Sequence, residues 1–226
     1  MVAPKVVFPK ALASLVLLLL LSLTFSVHPS AWATDKPIRI LAFGDSLTAG
    51  YGLDNPADAF PPQLEKALRA KGHNVSLIQA GLSGDTTSGG RSRLEWSLAE
   101  KPDAVIVELG GNDALRAIDP KITADNLQWI VKRLQRDNIP VLVAGMMAPP
   151  NLGRDFGGRY NGIYSQLAKD TGVPLYPFFL EGAIAVPGMM QNDSIHPNPK
   201  GVQVIVKAIL PSVEKLIEQV KAAKAK

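Results

Sequence analysis

The chain contains no cysteine. Disulfides, thiolate catalysis and every cysteine-based metal site are therefore excluded, and the fold must be held by its core alone. Histidine is nearly as scarce, with His28, His73 and His196 the only three, and His28 lies in an N-terminal leader. Imbalance of charge is missing too. Of 24 basic side chains, Lys5 and Lys10 belong to the acid-free leader, which leaves 22 against 20 acidic ones in the rest. A net charge of about +2 does not make a nucleic-acid-binding surface. The closing Lys221, Lys224 and Lys226 read as a solvated end. After residue 34 there is no internal repeat, low-complexity tract or linker.

What is present begins with that leader. Lys5 and Lys10 precede an apolar run over residues 11–27, and Ala31-Trp32-Ala33 follows as a small-x-small cleavage site. This is the layout of an export signal occupying residues 1–33, with cleavage near Ala33/Thr34 and a periplasmic or secreted product. The rival reading is a retained anchor, because the 17-residue run 11–27 reaches the lower end of the ~17–25 needed to span a bilayer. Residues 34–226, in a chain that is 46% hydrophobic, are enough for one packed domain.

Apolar runs and helical periodicities alternate along that domain. Residues 38–43, 75–80, 104–109, 141–144 and 173–176 read as strands. Helices are predicted from Phe60, Leu64, Ala67 and Leu68, then through Leu94 and Leu98. Leu127, Ile130, Val131 and Leu134 mark another, with Thr123 as its expected N-cap, and residues 155–169 a further one. The last helix has Val202, Ile205, Val206, Ile209, Val213, Leu216, Ile217 and Val220 on its core face, and Pro211 is expected to kink or split it. Strands separated by helices imply an α/β fold with a five-stranded parallel sheet in a three-layer α/β/α sandwich.

Three strand exits combine glycine with a polar residue: Gly44-Asp45-Ser46, Gly84-Asp85 and Gly111-Asn112-Asp113. All strands of a parallel sheet point one way, so these corners share the edge where ligands collect. A fourth element, Asp193-Ser194-Ile195-His196-Pro197, precedes the last helix, and Pro197 confines His196 to an extended backbone. Acyl transfer needs a nucleophile beside a base, a group that fixes the imidazole tautomer, and donors for the oxyanion. Ser46, His196 and Asp193 fill the first three roles. The backbone N–H groups of Ser46 and Gly84 and the Asn112 amide can supply the donors. His196 is the base by elimination, since His73 sits in a helix-to-strand turn. Asp45 and Asp85 are expected to hold their loops.

Apolar residues leave the same edge. Met146, Met147 and Pro149 after the fourth strand, and Ala114, Leu115, Ala117 and Ile118 after Asn112, are candidates to line an acyl groove, or else to cap the core beneath. Arg116 is placed to meet an anionic head group, or to pair with Asp113 or Asp119. Two other functions stay open on these residues. A metal-dependent phosphoesterase would draw on Asp45, Asp85, Asn112, Asp113, Asp193 and His196, although one available histidine suits two-metal chemistry poorly. A non-catalytic exported module could hold a phosphate or flavin in the glycine corners.

Taken together, Gly44-Asp45-Ser46-Leu47, Gly84, Gly110-Gly111-Asn112-Asp113 and Asp193-x-x-His196 resemble the four signature blocks of the GDSL, or SGNH, hydrolases. The resemblance spans nearly the whole domain. It is strongest to the bacterial periplasmic subgroup of acyl-CoA thioesterases, lysophospholipases and arylesterases. It implies a flavodoxin-like strand order, a Ser46–His196–Asp193 triad, oxyanion donors at 46, 84 and 112, and acyl contacts from the segment after Asn112. It further implies no cofactor and no metal, a small acyl ester or thioester as substrate, transient contact with lipid substrates, and a monomer. Because position 48 is Thr, the Gly-x-Ser-x-Gly nucleophile elbow of other lipases is not expected.

Overall fold

The apolar runs read as strands between residues 38 and 176 each become one, and the interior ones are covered on both faces. The computed structural model describes residues 1–4, which carry no regular secondary structure, and residues 36–225. The expected leader, 1–33, falls almost wholly outside the described residues. Strands β1 (Ile38–Gly44), β2 (Val75–Gly81), β3 (Ala104–Glu108), β4 (Val141–Ala144) and β5 (Leu175–Tyr176) form one parallel sheet in the order β2-β1-β3-β4-β5. This is the flavodoxin-like order. All of β3 and β4 is buried, which explains why neither shows any alternation.

The helices are α1 (Ser46–Ala49), α2 (Phe60–Ala70), α3 (Thr87–Leu98), α4 (Gly111–Leu115), α5 (Pro120–Arg136), α6 (Gly153–Asn161), α7 (Ile163–Thr171) and α8 (Pro199–Lys224). α2 packs on α8, and α3 and α7 pack on α5, forming the two outer layers of the sandwich. Phe60, Leu64 and Leu68 of α2 are buried, and the Phe60 ring meets Phe179 edge-on at 4.9 Å. Among the described residues no helix is long and apolar enough to cross a membrane.

Three local expectations change. α5 begins at Pro120, not Thr123, because Asp119 caps it through a bond from the Lys121 N–H (3.0 Å) and proline suits the first helical position. Thr123 is instead buried, with its hydroxyl donating to Asp113 (3.1 Å). The helix expected over 155–169 is two, α6 and α7, which meet at Gly162. α8 runs through Pro211 as one 26-residue helix. Pro211 and Lys207 both lie on its exposed face, so the carbonyl that proline leaves unpaired is open to water instead of being buried.

The register positions the site. Gly44 pairs with Gly81 on one side and Glu108 on the other, so β1, β2 and β3 end level and their exit loops leave one edge together. Gly44 has no alternative there, because a Cβ would lie 2.7 Å from the Glu108 carbonyl oxygen.

Candidate active site

Directly after Gly44, Asp45 turns the chain into α1 and puts Ser46 at its first position. One oxygen of the Asp45 carboxylate accepts the Leu47 N–H (3.0 Å) and the other accepts Asn112 Nδ2 (3.1 Å). Asp45 thus caps the helix that carries Ser46 and holds the Asn112 amide. Beneath it lies Glu108, fully buried, whose Oε2 accepts the Thr48 hydroxyl (2.8 Å) and the Asp45 N–H (3.3 Å), while Oε1 has no partner. Burial pushes the Asp45 carboxyl up to about 6, against the opposing pull of its hydrogen bonds. Burial raises Glu108 further, and the neighbouring Asp45 charge adds to it.

Both shifts favour the protonated acid in the fold. The pair therefore binds protons more tightly folded than unfolded, and stability falls as pH rises from about 4 through 6 and above. Glu108→Gln is expected to flatten the fall in melting temperature between pH 4.5 and 8. An unchanged slope by differential scanning fluorimetry would show that Glu108 is not part of it.

The imidazole beside Ser46 comes from the other end of the chain. His196 Nε2 lies 2.9 Å from Ser46 Oγ, and Nδ1 lies 2.6 Å from Asp193 Oδ2. An ionised carboxylate can only accept, so Nδ1 carries the hydrogen and Nε2 is left to accept from the serine hydroxyl. The second Asp193 oxygen takes the N–H groups of Ile195 (2.9 Å) and His196 (3.0 Å). Partial desolvation pushes the Asp193 carboxyl up. The His196 backbone N–H, the ring and the Ile195 N–H outweigh that and hold it down at about 2. Tyr51 covers the imidazole, with ring centroids 4.7 Å apart. Gln191 ties the two loops together: its Nε2 donates to the Tyr51 (2.7 Å) and Pro197 (3.0 Å) carbonyls and its N–H to that of His196 (2.8 Å).

Ser46, Gly84 and Asn112 line one groove of about 930 Å³ together with Asp193 and His196. The backbone N–H groups of Ser46 and Gly84 make no hydrogen bond among the described residues. Leu115, Met146, Met147 and Pro149 line the groove as well. Ala114 is buried beneath it, and Ala117 and Ile118 are outside its lining. Arg116 reaches neither Asp113 nor Asp119 but the Gly84 carbonyl (2.8 Å). Asp113 is taken up by the N–H (2.8 Å) and hydroxyl of Thr87 and by Thr123. Asp85 accepts the Thr86 N–H and pairs with Arg93 at 2.7 Å. Among the described residues no three His, Cys, Asp or Glu side chains are grouped as a metal site.

A family model described as GDSL-like lipase/acylhydrolase matches residues 42–204. The chain belongs to this family. It is 36% identical over 200 residues to a protein named arylesterase from Vibrio mimicus, covering 88% of this chain and 98% of the relative. It is 40% identical over 160 residues to "Thioesterase 1/protease 1/lysophospholipase L1" of Escherichia coli strain K12, covering 70% of this chain and 75% of the relative. Among solved structures, AlinE4, titled an SGNH-hydrolase family esterase, superposes with a TM-score of 0.68 at 47% identity, over 79% of this chain and 96% of that one.

In this acylhydrolase a further part of the groove wall comes from Phe178, Leu180, Ile184 and Ala185, in the irregular stretch between β5 and the His196 loop. Its signal in the sequence is weak, an apolar run between Pro177 and Pro187 with no periodicity. Tyr160 and Tyr164, unmarked by any motif, donate to the Gly110 (2.6 Å) and Leu109 (2.8 Å) carbonyls and hold the β3 exit beside Asn112.

Proposed function

We propose that this acylhydrolase cleaves carboxylic esters and thioesters of small acyl substrates through a covalent intermediate on Ser46. The observation that carries this reading is the unbroken relay Ser46 Oγ–His196 Nε2 at 2.9 Å and His196 Nδ1–Asp193 Oδ2 at 2.6 Å. As Ser46 Oγ attacks the acyl carbonyl, His196 takes its proton, and Asp193, ionised down to about pH 2, offsets the imidazolium charge. The carbonyl oxygen becomes an anion facing the N–H groups of Ser46 and Gly84 and the Asn112 amide. Collapse breaks the bond to the leaving alkoxide or thiolate, which receives the proton from His196. Water then attacks the acyl-serine, giving up a proton to His196; collapse breaks the acyl–Ser46 Oγ bond, Oγ takes that proton back from His196, and the carboxylic acid leaves.

The groove wall of Leu115, Met146, Met147, Pro149, Phe178 and Leu180 fits an apolar acyl chain. Tyr51, Leu115, Met147 and Ile195 are exposed large apolar side chains on its lining, which supports transient contact with lipid substrates. Every group of the site belongs to one chain, in keeping with action as a monomer. The charged start, apolar run and Ala31-Trp32-Ala33 of the leader support export and removal of residues 1–33 from a single hydrolase domain over 34–226.

The test is hydrolysis of p-nitrophenyl butyrate and of an acyl-CoA chain-length series by the protein lacking residues 1–33. Activity is expected to survive EDTA and to vanish in Ser46→Ala. Loss with EDTA and survival in Ser46→Ala would instead favour a metal-dependent phosphoesterase.

A further inference from the structure

Arg116 caps the C-terminal end of α4 and is exposed, yet its guanidinium is bonded to backbone. Its backbone N–H closes the last turn of α4 on the Asn112 carbonyl (3.1 Å), as any residue there would, and its guanidinium Nη2 donates to the Gly84 carbonyl (2.8 Å). Asn112, in α4 after β3, and Gly84, in the loop after β2, both line the groove beside Ser46. Arg116 is thus one residue bonded to both.

Gly84 itself makes no other hydrogen bond among the described residues, although its neighbour Asp85 is pinned by Arg93 at 2.7 Å. The turn leaving β2 is tied by the Leu82 N–H to the Gly44 carbonyl (3.1 Å) and by the Asp85 N–H to the Leu82 carbonyl (3.0 Å). Between those ties stands Gly84 at φ +81°, a left-handed conformation in a residue with no side chain to restrict it. Its N–H and carbonyl flank one rotatable Cα, so anchoring the carbonyl limits the directions open to the N–H. A planar guanidinium, always charged and carrying fixed donors, suits that task better than a flexible ammonium.

We propose that Arg116 is a positioning residue, which spans from Asn112 to Gly84 and holds the Gly84 N–H at a fixed separation from the Asn112 amide. The inference rests on the reading of Gly84 and Asn112 as oxyanion donors. An oxyanion donor stabilises the transition state more than the ground state, so loosening one lowers kcat and leaves KM nearly unchanged. The alternative is that Arg116 contacts an anionic leaving group. That would raise KM for acyl-CoA only and spare a neutral ester.

The experiment compares wild type, Arg116→Gln and Arg116→Lys on neutral p-nitrophenyl butyrate and on anionic butyryl-CoA. Rates are normalised to the fraction of each protein titrated by a serine-directed phosphonate, so misfolded molecules do not count. Arg116→Gln is expected to lower kcat by roughly tenfold on both substrates, less than the ~10²–10³ of losing a donor outright, with KM within about twofold. Arg116→Lys should keep more of the rate than Arg116→Gln. Wild-type kcat in Arg116→Gln, or a change confined to KM for butyryl-CoA, would overturn the proposal. Failure of the underlying reading looks different: wild type would not be titrated by the phosphonate, and Ser46→Ala would remain active.

Discussion

Ser46→Ala and His196→Ala are each expected to lower kcat by at least ~10³, about 4 kcal/mol of transition-state stabilisation, with the double variant scarcely worse than either. Without the hydroxyl there is no acyl acceptor for the imidazole to serve. Without the imidazole, a serine hydroxyl keeps its proton at neutral pH and attacks poorly. The 2.9 Å contact makes the two a single device, so removing the second part costs little once the first is gone. Steady-state rates on p-nitrophenyl butyrate for the two single variants and the double variant decide this. Losses that multiply would mean the two side chains act independently, contrary to a shared proton relay.

Asn112→Ala is expected to cost ~10²–10³ in kcat, or ~2.7–4 kcal/mol, the range for one oxyanion donor. The amide is held in place before any substrate arrives, because one of its hydrogens is bonded to the Asp45 carboxylate at 3.1 Å and the other is left for the groove. Asp45 in turn is oriented by the Leu47 N–H. KM should change little, since the donor acts chiefly on charge that develops during the reaction. A rise in KM at constant kcat would place Asn112 in ground-state binding instead.

The fold was largely readable because burial imposes a pattern. The apolar runs of β1, β3 and β4, broken only by Arg39 and Glu108, report a sheet covered on both faces, and the spacing of Leu127, Ile130, Val131 and Leu134 reports one buried helix face. Boundaries were less readable. Thr123 is chemically as good a helix cap as Asp119, and only its burial against Asp113 shows that its hydroxyl is occupied. Pro211 has the same covalent effect wherever it stands. Whether a helix tolerates it depends on which face the tertiary contacts turn to water.

The sequence alone determined which residue types were available for chemistry: three histidines, with His28 in the expected leader and His73 in a helix-to-strand turn, a serine directly after Gly44-Asp45 at a strand exit, no thiol, and the order of strands and helices that sends those exits to one edge. Only the tertiary structure decided partners and distances. Ser46 and His196 are 150 residues apart and become neighbours because β1 is an interior strand of the sheet and the His196 loop folds back over its end. An exposed arginine carries no mark in the sequence of the carbonyl it will bind. The Arg116–Gly84 contact joins loops from two different strands, and such long-range geometry is set by packing of the whole sheet rather than by local spacing.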